Sequence, residues 1–384
     1  MKIRDVWVTV LAVATILFSP SSWAGEQFFL NVCCDAGGSG KYRIARFGAD
    51  GIQNPPTPVI HANNIGTGIS GVAWPSALKV GEEVWIYASR LGGSGWWDVG
   101  LWKSSDDGKT FSLYGAALTP DSSEPEGVGP AQVFYDGSSP RPFKMIYLVR
   151  GSPVGTKLRL ADSADGQAWT RVGDVLTASE PFEATGVSPS WVMKLDSGEW
   201  ALYYHGYETV DKAHAVVATA ASIGDQFAAK SVIYSPDGRQ NSISGGAKFT
   251  NFATVSGTVL LGQPHVLRAT DGSAMEPVVP IRQIGTVVYF DRPLMATYTN
   301  ATLASVIKNK VDPSYIERLA GGTYAGFFTG YGQYPGVLSE YTQRFLSPTA
   351  LGPWTPAKDG FAFQPWSPAS LLSTENPTAV IPAP

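Results

Sequence analysis

Along most of the chain the apolar positions come in short runs, each cut off by a polar segment rich in Gly, Pro, Asp or Ser. Val84-Trp85-Ile86-Tyr87, Met145-Ile146-Tyr147-Leu148-Val149 and Ala201-Leu202-Tyr203-Tyr204 are dense in β-branched and aromatic residues, the side chains that fit a pleated, half-buried surface. They predict strands at 84–89, 144–149 and 200–205. A second type of run precedes each of them: Gly71-Val72-Ala73-Trp74-Pro75-Ser76-Ala77-Leu78, Gly127-Val128-Gly129-Pro130-Ala131-Gln132-Val133 and Gly186-Val187-Ser188-Pro189-Ser190-Trp191-Val192. Each is expected to open a unit that continues with the aromatic strand, a polar loop, a third strand, a Ser-Asp-Gly turn and a fourth strand.

Successive units are about 55 to 60 residues apart, the length of a four-stranded blade with generous loops. Val311-Asp312-Pro313-Ser314-Tyr315-Ile316, followed by an aromatic run from Tyr324, repeats the pattern, and a degenerate unit is read around 246–261. The N-terminal stretch 28–60 reads as three strands lacking an inner one. Glu375-Asn376-Pro377-Thr378-Ala379-Val380 reads as an inner strand lacking its blade. The fold class expected is therefore all-β: a β-propeller of four-stranded blades, its ring closed by N- and C-terminal strands so that no sheet edge stays open. Six blades are favoured. Five are the alternative, given the degenerate unit and a stretch at 295–310 that also reads as a helix.

Composition supports this reading. Gly (42), Pro (28), Trp (12) and Tyr (16) are plentiful while charged residues are 16%, as suits short strands joined by tight turns. With a net charge of −4 and no basic stripe, a nucleic-acid partner is not expected. Lys2 and Arg4, an apolar run to Phe18 and the small residues around Ala24 predict a secretory signal peptide at 1–24, leaving 25–384 as a single domain, periplasmic or secreted, with no membrane span. Cys33 and Cys34 are adjacent, so no distant disulfide staple within the monomer is available. Two small buried residues, a vicinal disulfide and an intermolecular bond all remain open for them. No zinc spacing, phosphate loop, dinucleotide fingerprint or Gly-x-Ser-x-Gly elbow occurs. No metal or other cofactor is implied, and a structural calcium ion is neither required nor ruled out.

Ser104-Ser105-Asp106-Asp107-Gly108-Lys109-Thr110-Phe111, and the shorter Ser163-Ala164-Asp165-Gly166-Gln167-Ala168-Trp169, resemble the Asp boxes of sialidases and related propellers. The stretch from Val84 through Arg90 and Trp97 to Trp102 resembles a first sialidase blade. The repeated Pro-Ser-x-Val strand and Gly198-Glu199-Trp200-Ala201-Leu202-Tyr203-Tyr204 are instead similar to the arabinanase, xylosidase and invertase group of five-bladed glycosidases. These resemblances imply a carbohydrate-active propeller. The sequence departs from both groups: Ala73 stands where sialidases carry an arginine, and Trp74, Gly129 and Ser188 stand where the five-bladed glycosidases carry acids. Asp312 alone keeps an acid before its proline.

Glycoside cleavage needs two carboxyl groups, one protonated and one ionised, about 5 to 9.5 Å apart. Glu126, Glu183, Asp312 and Glu375 lie at or within a few residues of the strand-opening prolines. Asp312 is the first choice for base or nucleophile, with Glu126 and Glu183 as acid candidates. For each of these acids, an exposed loop carboxylate or a turn cap is the commoner role. Substrate-binding candidates on the same face are Arg90, Trp96, Trp97, Asp98, Arg150, His205 and Glu375, with Glu124, Glu180, His214, Trp74 and Trp191 nearby in the repeat. Tryptophan faces can stack on sugars and arginines can hold a sugar carboxylate. Trp191 and Trp200, inside strands, read as core between blades. The function expected is an exported glycoside hydrolase acting on a poly- or oligosaccharide, with a non-catalytic glycan-binding or assembly propeller as the alternative.

Overall fold

The computed structural model describes residues 27–33, 43–48, 57–361, 373–379 and 381–383, apart from short breaks at 62, 93–94, 96, 138–139, 152–153, 237, 239, 272, 306–308 and 335–336. The leader read at 1–24, Cys34 and Trp96 lie outside the described residues. No helix among those described is long and apolar enough to cross a membrane.

The protein is all-β. Three antiparallel sets of four strands follow one another: Ile69–Val80, Glu83–Gly92, Trp97–Ser104 and Ser112–Leu118 form the first, to which Ile381–Ala383 adds a parallel fifth strand. Val128–Tyr135, Phe143–Val149, Lys157–Ser163 and Thr170–Thr177 form the second. Gly186–Lys194, Trp200–Thr209, Lys212–Ala220 and Ala229–Tyr234 form the third. Lys310–Arg318, Tyr324–Tyr334, Val337–Ser347 and Thr355–Phe361 make a fourth set with the same antiparallel order. Single parallel pairs join it to the third set, Ala213 with Lys310, and to the terminal strands, Glu340 with Ser373, so that all three run on as one eleven-stranded sheet. In the fifth, the C-terminal strand Ser373–Ala379 pairs with the N-terminal strand Gln27–Cys33, which pairs in turn with Arg43–Gly48.

The prolines explain why these strands repeat so visibly. A proline inside a strand has no N–H for the ladder and is tolerated at a bulge. The register of each opening strand shifts at its proline, between Ala73 and Ser76, Val128 and Ala131, Pro189 and Trp191, and Pro313 and Tyr315. Each opening strand touches the next: first to second, second to third, third to fourth, fourth to Ser373–Ala379, and that strand back to Ile69–Val80.

The core lies between neighbouring sets. Tyr87 and Leu101 pack with Met145 and Tyr147, Leu148 and Leu160 with Leu202 and Tyr204, Trp191 and Tyr203 with Tyr315 and Phe327, and Phe29 and Ile44 with Ile86 and Trp102. Trp191 meets Tyr315 edge-on at 4.7 Å and Trp200 meets Phe134 at 5.4 Å, so both tryptophans are core between sets. Such pairs contribute about 0.5–1.5 kcal/mol beyond the area they bury.

The segment read as a degenerate unit does not form a sheet of this kind. Residues 240–305 build a separate seven-stranded sheet that includes Gln240–Gly245, Phe252–Val255 and Ala301–Ser305, with its own core around Ile243, Leu267, Val288 and Leu303. Part of the 295–310 stretch is therefore strand Ala301–Ser305, held between Gln240–Gly245 and His265–Ala269.

The two Ser-x-Asp turns join third to fourth strands. In one, Asp106 accepts from the N–H groups of Lys109 and Thr110, at 3.1 and 2.9 Å, and from the Thr110 hydroxyl at 2.6 Å. Burial is the largest single influence and opposes ionisation, but the hydrogen bonds together outweigh it and hold its pKa down to about 2. Asp165 accepts from Gln167 and Ala168 in the same way. In antiparallel sheets these turns sit at the end opposite the loops between second and third strands.

Candidate functional site

The residue before each proline sits at a bulge, and second-strand side chains of one set reach that position in the next. The Ser89 hydroxyl lies 2.5 Å from where a Cβ on Gly129 would be, so only glycine fits there. In the fourth set the pre-proline residue is Asp312, and what reaches it is His205 of the third. His205 Nε2 is 3.1 Å from Asp312 Oδ1, with both side chains buried. The other ring nitrogen, Nδ1, is 3.0 Å from the Tyr207 hydroxyl. Where that hydroxyl donates to Nδ1, the ring proton is on Nε2, the nitrogen next to the carboxylate. Tyr207 in turn lies under Lys310, 5.8 Å from ring centroid to Nζ.

Asp312 lines a cavity of about 10 Å³, room for a single water, together with Trp74, Pro75, Gln132, Pro189, Ser190 and Ser314 from the opening strands of four sets. Trp74 adopts φ 55°, a left-handed conformation that costs a non-glycine residue about 1–2 kcal/mol. The buried Asn31 side chain secures it by accepting the Trp74 N–H at 2.7 Å. So placed, the Trp74 ring meets Trp97 at 5.3 Å, and the Arg150 guanidinium lies over Trp97 at 4.7 Å. Tyr207 and Glu126 both act electrostatically on Arg150. The contacts form two groups, Asp312 with His205 and Tyr207, and Trp74 with Trp97 and Arg150, while Glu126 stands on an exposed turn.

Other candidates are placed differently. Arg90 and Asp98 face each other in register and form a buried bidentate pair, with bonds of 2.7 and 2.5 Å. They neutralise one another. Glu183 is buried and accepts from the Tyr204 hydroxyl (2.6 Å), Lys230 Nζ (2.8 Å) and the N–H groups of Ser179 and Glu180. Those bonds tie the entering turn to the second and fourth strands of its sheet. His214 binds Ser235 and Glu208. Backbone pairing sets Glu375 against Asn31, and its side chain lies outside the described residues.

One position, Tyr207, escaped the sequence reading, and another, Glu124, was read on the candidate face without its anchoring role. Tyr207 follows His205 by two residues, and strand alternation puts both on one face. Glu124 stands six residues before Pro130, as Glu183 stands six before Pro189. Glu124 accepts from Tyr147 (2.8 Å), Arg159 (3.0 Å) and Arg171 (2.6 Å). The true counterpart of Glu183 is therefore Glu124, a structural anchor, and Glu126 has no counterpart in that role. Among the described residues no group of three or more His, Cys, Asp or Glu could hold a metal ion.

No family model and no curated protein matches the sequence. Solved structures with a similar chain path include an endo-arabinase from Bacteroides thetaiotaomicron VPI-5482, at 13% identity and TM-score 0.47, covering 80% of this chain and 93% of that one. A thermostable family-43 glycoside hydrolase gives 13% identity and 0.44, over 77% and 75% of the two chains. The catalytic domain of a family-62 α-L-arabinofuranosidase from Coprinopsis cinerea gives 13% and 0.43, over 82% and 75%. At such values no residue role passes from them to this chain.

Proposed function

We propose that the chain is an exported five-bladed β-propeller, with the 240–305 sheet as an insertion, and that it is a glycoside hydrolase acting on a poly- or oligosaccharide at the face where Asp312 lies. Five blades rather than six is supported by the five opening strands that touch in cyclic order and by the shared terminal sheet. The observation that carries the functional reading is Asp312 itself. It is a buried carboxylate at the meeting point of several sheets, backed by His205 and Tyr207 and bordered by Trp74.

In this reading Asp312 serves as base or nucleophile, and the His205 imidazole, 3.1 Å away, orients it. Glu126, on the exposed turn beside Arg150, supplies the acid that protonates the leaving oxygen. Trp74 and Trp97 offer ring faces to the C–H face of a sugar. Arg90, Asp98 and Glu183 are left to hold the scaffold.

A second reading, glycan binding without cleavage, is favoured by one observation: Trp74, Gly129 and Ser188 occupy the other pre-proline positions and Glu183 is saturated by four donors, which leaves few acids for a catalytic pair. A panel of plant and microbial polysaccharides, scored for both retention on the protein and release of reducing ends, separates the two. Release of product supports hydrolysis. Retention without release supports binding, and neither on any polysaccharide contradicts both.

A further inference from the structure

The sheets repeat closely enough to supply their own control for Arg150. Three residues before each proline stand Val72, Gly127 and Gly186. Opposite them on the second strands stand Arg90, Arg150 and Tyr207. Arg90 and Arg150 are therefore equivalent positions in consecutive sheets. The third strand of the first sheet puts Asp98 opposite Arg90, and the two neutralise each other. Extending the second sheet's register from Val149 opposite Lys157 puts Thr156 opposite Arg150. The acid is missing where the arginine is kept.

Arg150 is half-buried, with Trp97 covering the guanidinium. Its hydrogen bond to the protein runs at 3.5 Å to the Gly129 carbonyl, and among the described residues no carboxylate lies within ion-pair distance of it. Desolvation lowers its pKa, partly offset by Tyr207 and Glu126. A partly desolvated guanidinium held over an indole, with one long hydrogen bond to the protein, keeps donors available to a planar oxyanion.

We infer that Arg150 is a carboxylate-recognising residue and that the glycan taken by this face carries uronic acid units. The inference rests on the proposed glycan-active role. One sugar ring on Trp74 and Trp97 would bring its carboxylate in-plane to Arg150, where Asp98 sits relative to Arg90.

The test compares oligogalacturonates and alginate oligosaccharides with their carboxyl-reduced counterparts by calorimetry, on the wild type, Arg150→Gln and Thr156→Asp. Thr156 is exposed and its side chain is outside the proposed contacts, so Thr156→Asp places an internal acid opposite Arg150 with little demand on folding. A charge-assisted bidentate pair is expected to make the wild type prefer the carboxylated form by about 10- to 100-fold. Both variants should bring that ratio to about one. If the wild type binds charged and reduced glycans equally, or if Thr156→Asp and Arg150→Gln both keep the preference, the inference is overturned while glycan recognition stands. Acetate or free galacturonate competing as strongly as the oligosaccharides would also overturn it, as a general carboxylate site. No binding of any glycan, charged or reduced, removes the functional proposal itself.

Discussion

Replacing Glu124 with alanine should destabilise the protein by about 3–4 kcal/mol. The side chain is fully buried and accepts from the Tyr147 hydroxyl, Arg159, Arg171 and the Asp121 N–H. Removing one partner of a buried charge network costs about 3–5 kcal/mol. The low end applies because the arginines rehydrate, their side chains being 19% and 28% exposed. The Tyr147 hydroxyl cannot, and an unsatisfied buried donor costs about 1–3 kcal/mol. For a chain of this size that loss lowers Tm by about 4–5 °C, measurable by circular dichroism.

Glu124→Gln adds a test of sign. Burial alone would raise the carboxyl's pKa, but hydrogen bonds from Arg171 and Tyr147 outweigh it and lower it. A lowered pKa makes the ionised form stabilising in the folded state. That contribution is complete above the ordinary carboxylate range and lost as pH falls through the lowered value. The stability gap between wild type and Glu124→Gln should therefore narrow only below about pH 4.5. Glu126→Ala, on the exposed turn, should change stability by less than about 0.5 kcal/mol. A Glu124→Ala loss below about 1 kcal/mol, or a gap constant down to pH 3, would refute the anchoring role.

Lys230→Met should cost about 3 kcal/mol in urea unfolding, because the buried Lys230 Nζ serves Glu183, the Ser179 hydroxyl and the Thr177 carbonyl together. Gly127→Ala should destabilise by at least about 2 kcal/mol and shift tryptophan fluorescence. Gly127 has φ 105°, and a Cβ there would lie 2.6 Å from the Trp97 carbonyl oxygen. Tyr207→Phe should leave Tm within about 2 °C but displace the pH profile of glycan turnover, since it frees the His205 Nδ1 that fixes the tautomer facing Asp312. An unchanged profile would detach Tyr207 from the site.

The strand-opening prolines made the repeating sheets legible, because a proline in a strand demands a bulge and so leaves the same mark in every unit. Residues 240–305 were misread because short apolar runs announce strands without announcing partners. Phe252–Val255 is as strand-like as any other, yet it pairs within a separate sheet. Asp312 stood out as the one acid directly before a strand-opening proline. Glu183 looked equally suitable until its four donors were visible, since sequence records a carboxylate's position and not what has already bound it. The His205–Asp312 contact joins residues of different sets, and only the packing of one set on the next brings them together.

The most direct measurement is turnover and affinity of Asp312→Asn on whichever glycan the wild type cleaves. The expected result is a fall in kcat of at least about a thousandfold with Kd changed only a few-fold, since an amide keeps the shape but removes the base. Cleavage by Asp312→Asn at the wild-type rate would contradict the assignment of chemistry to this site.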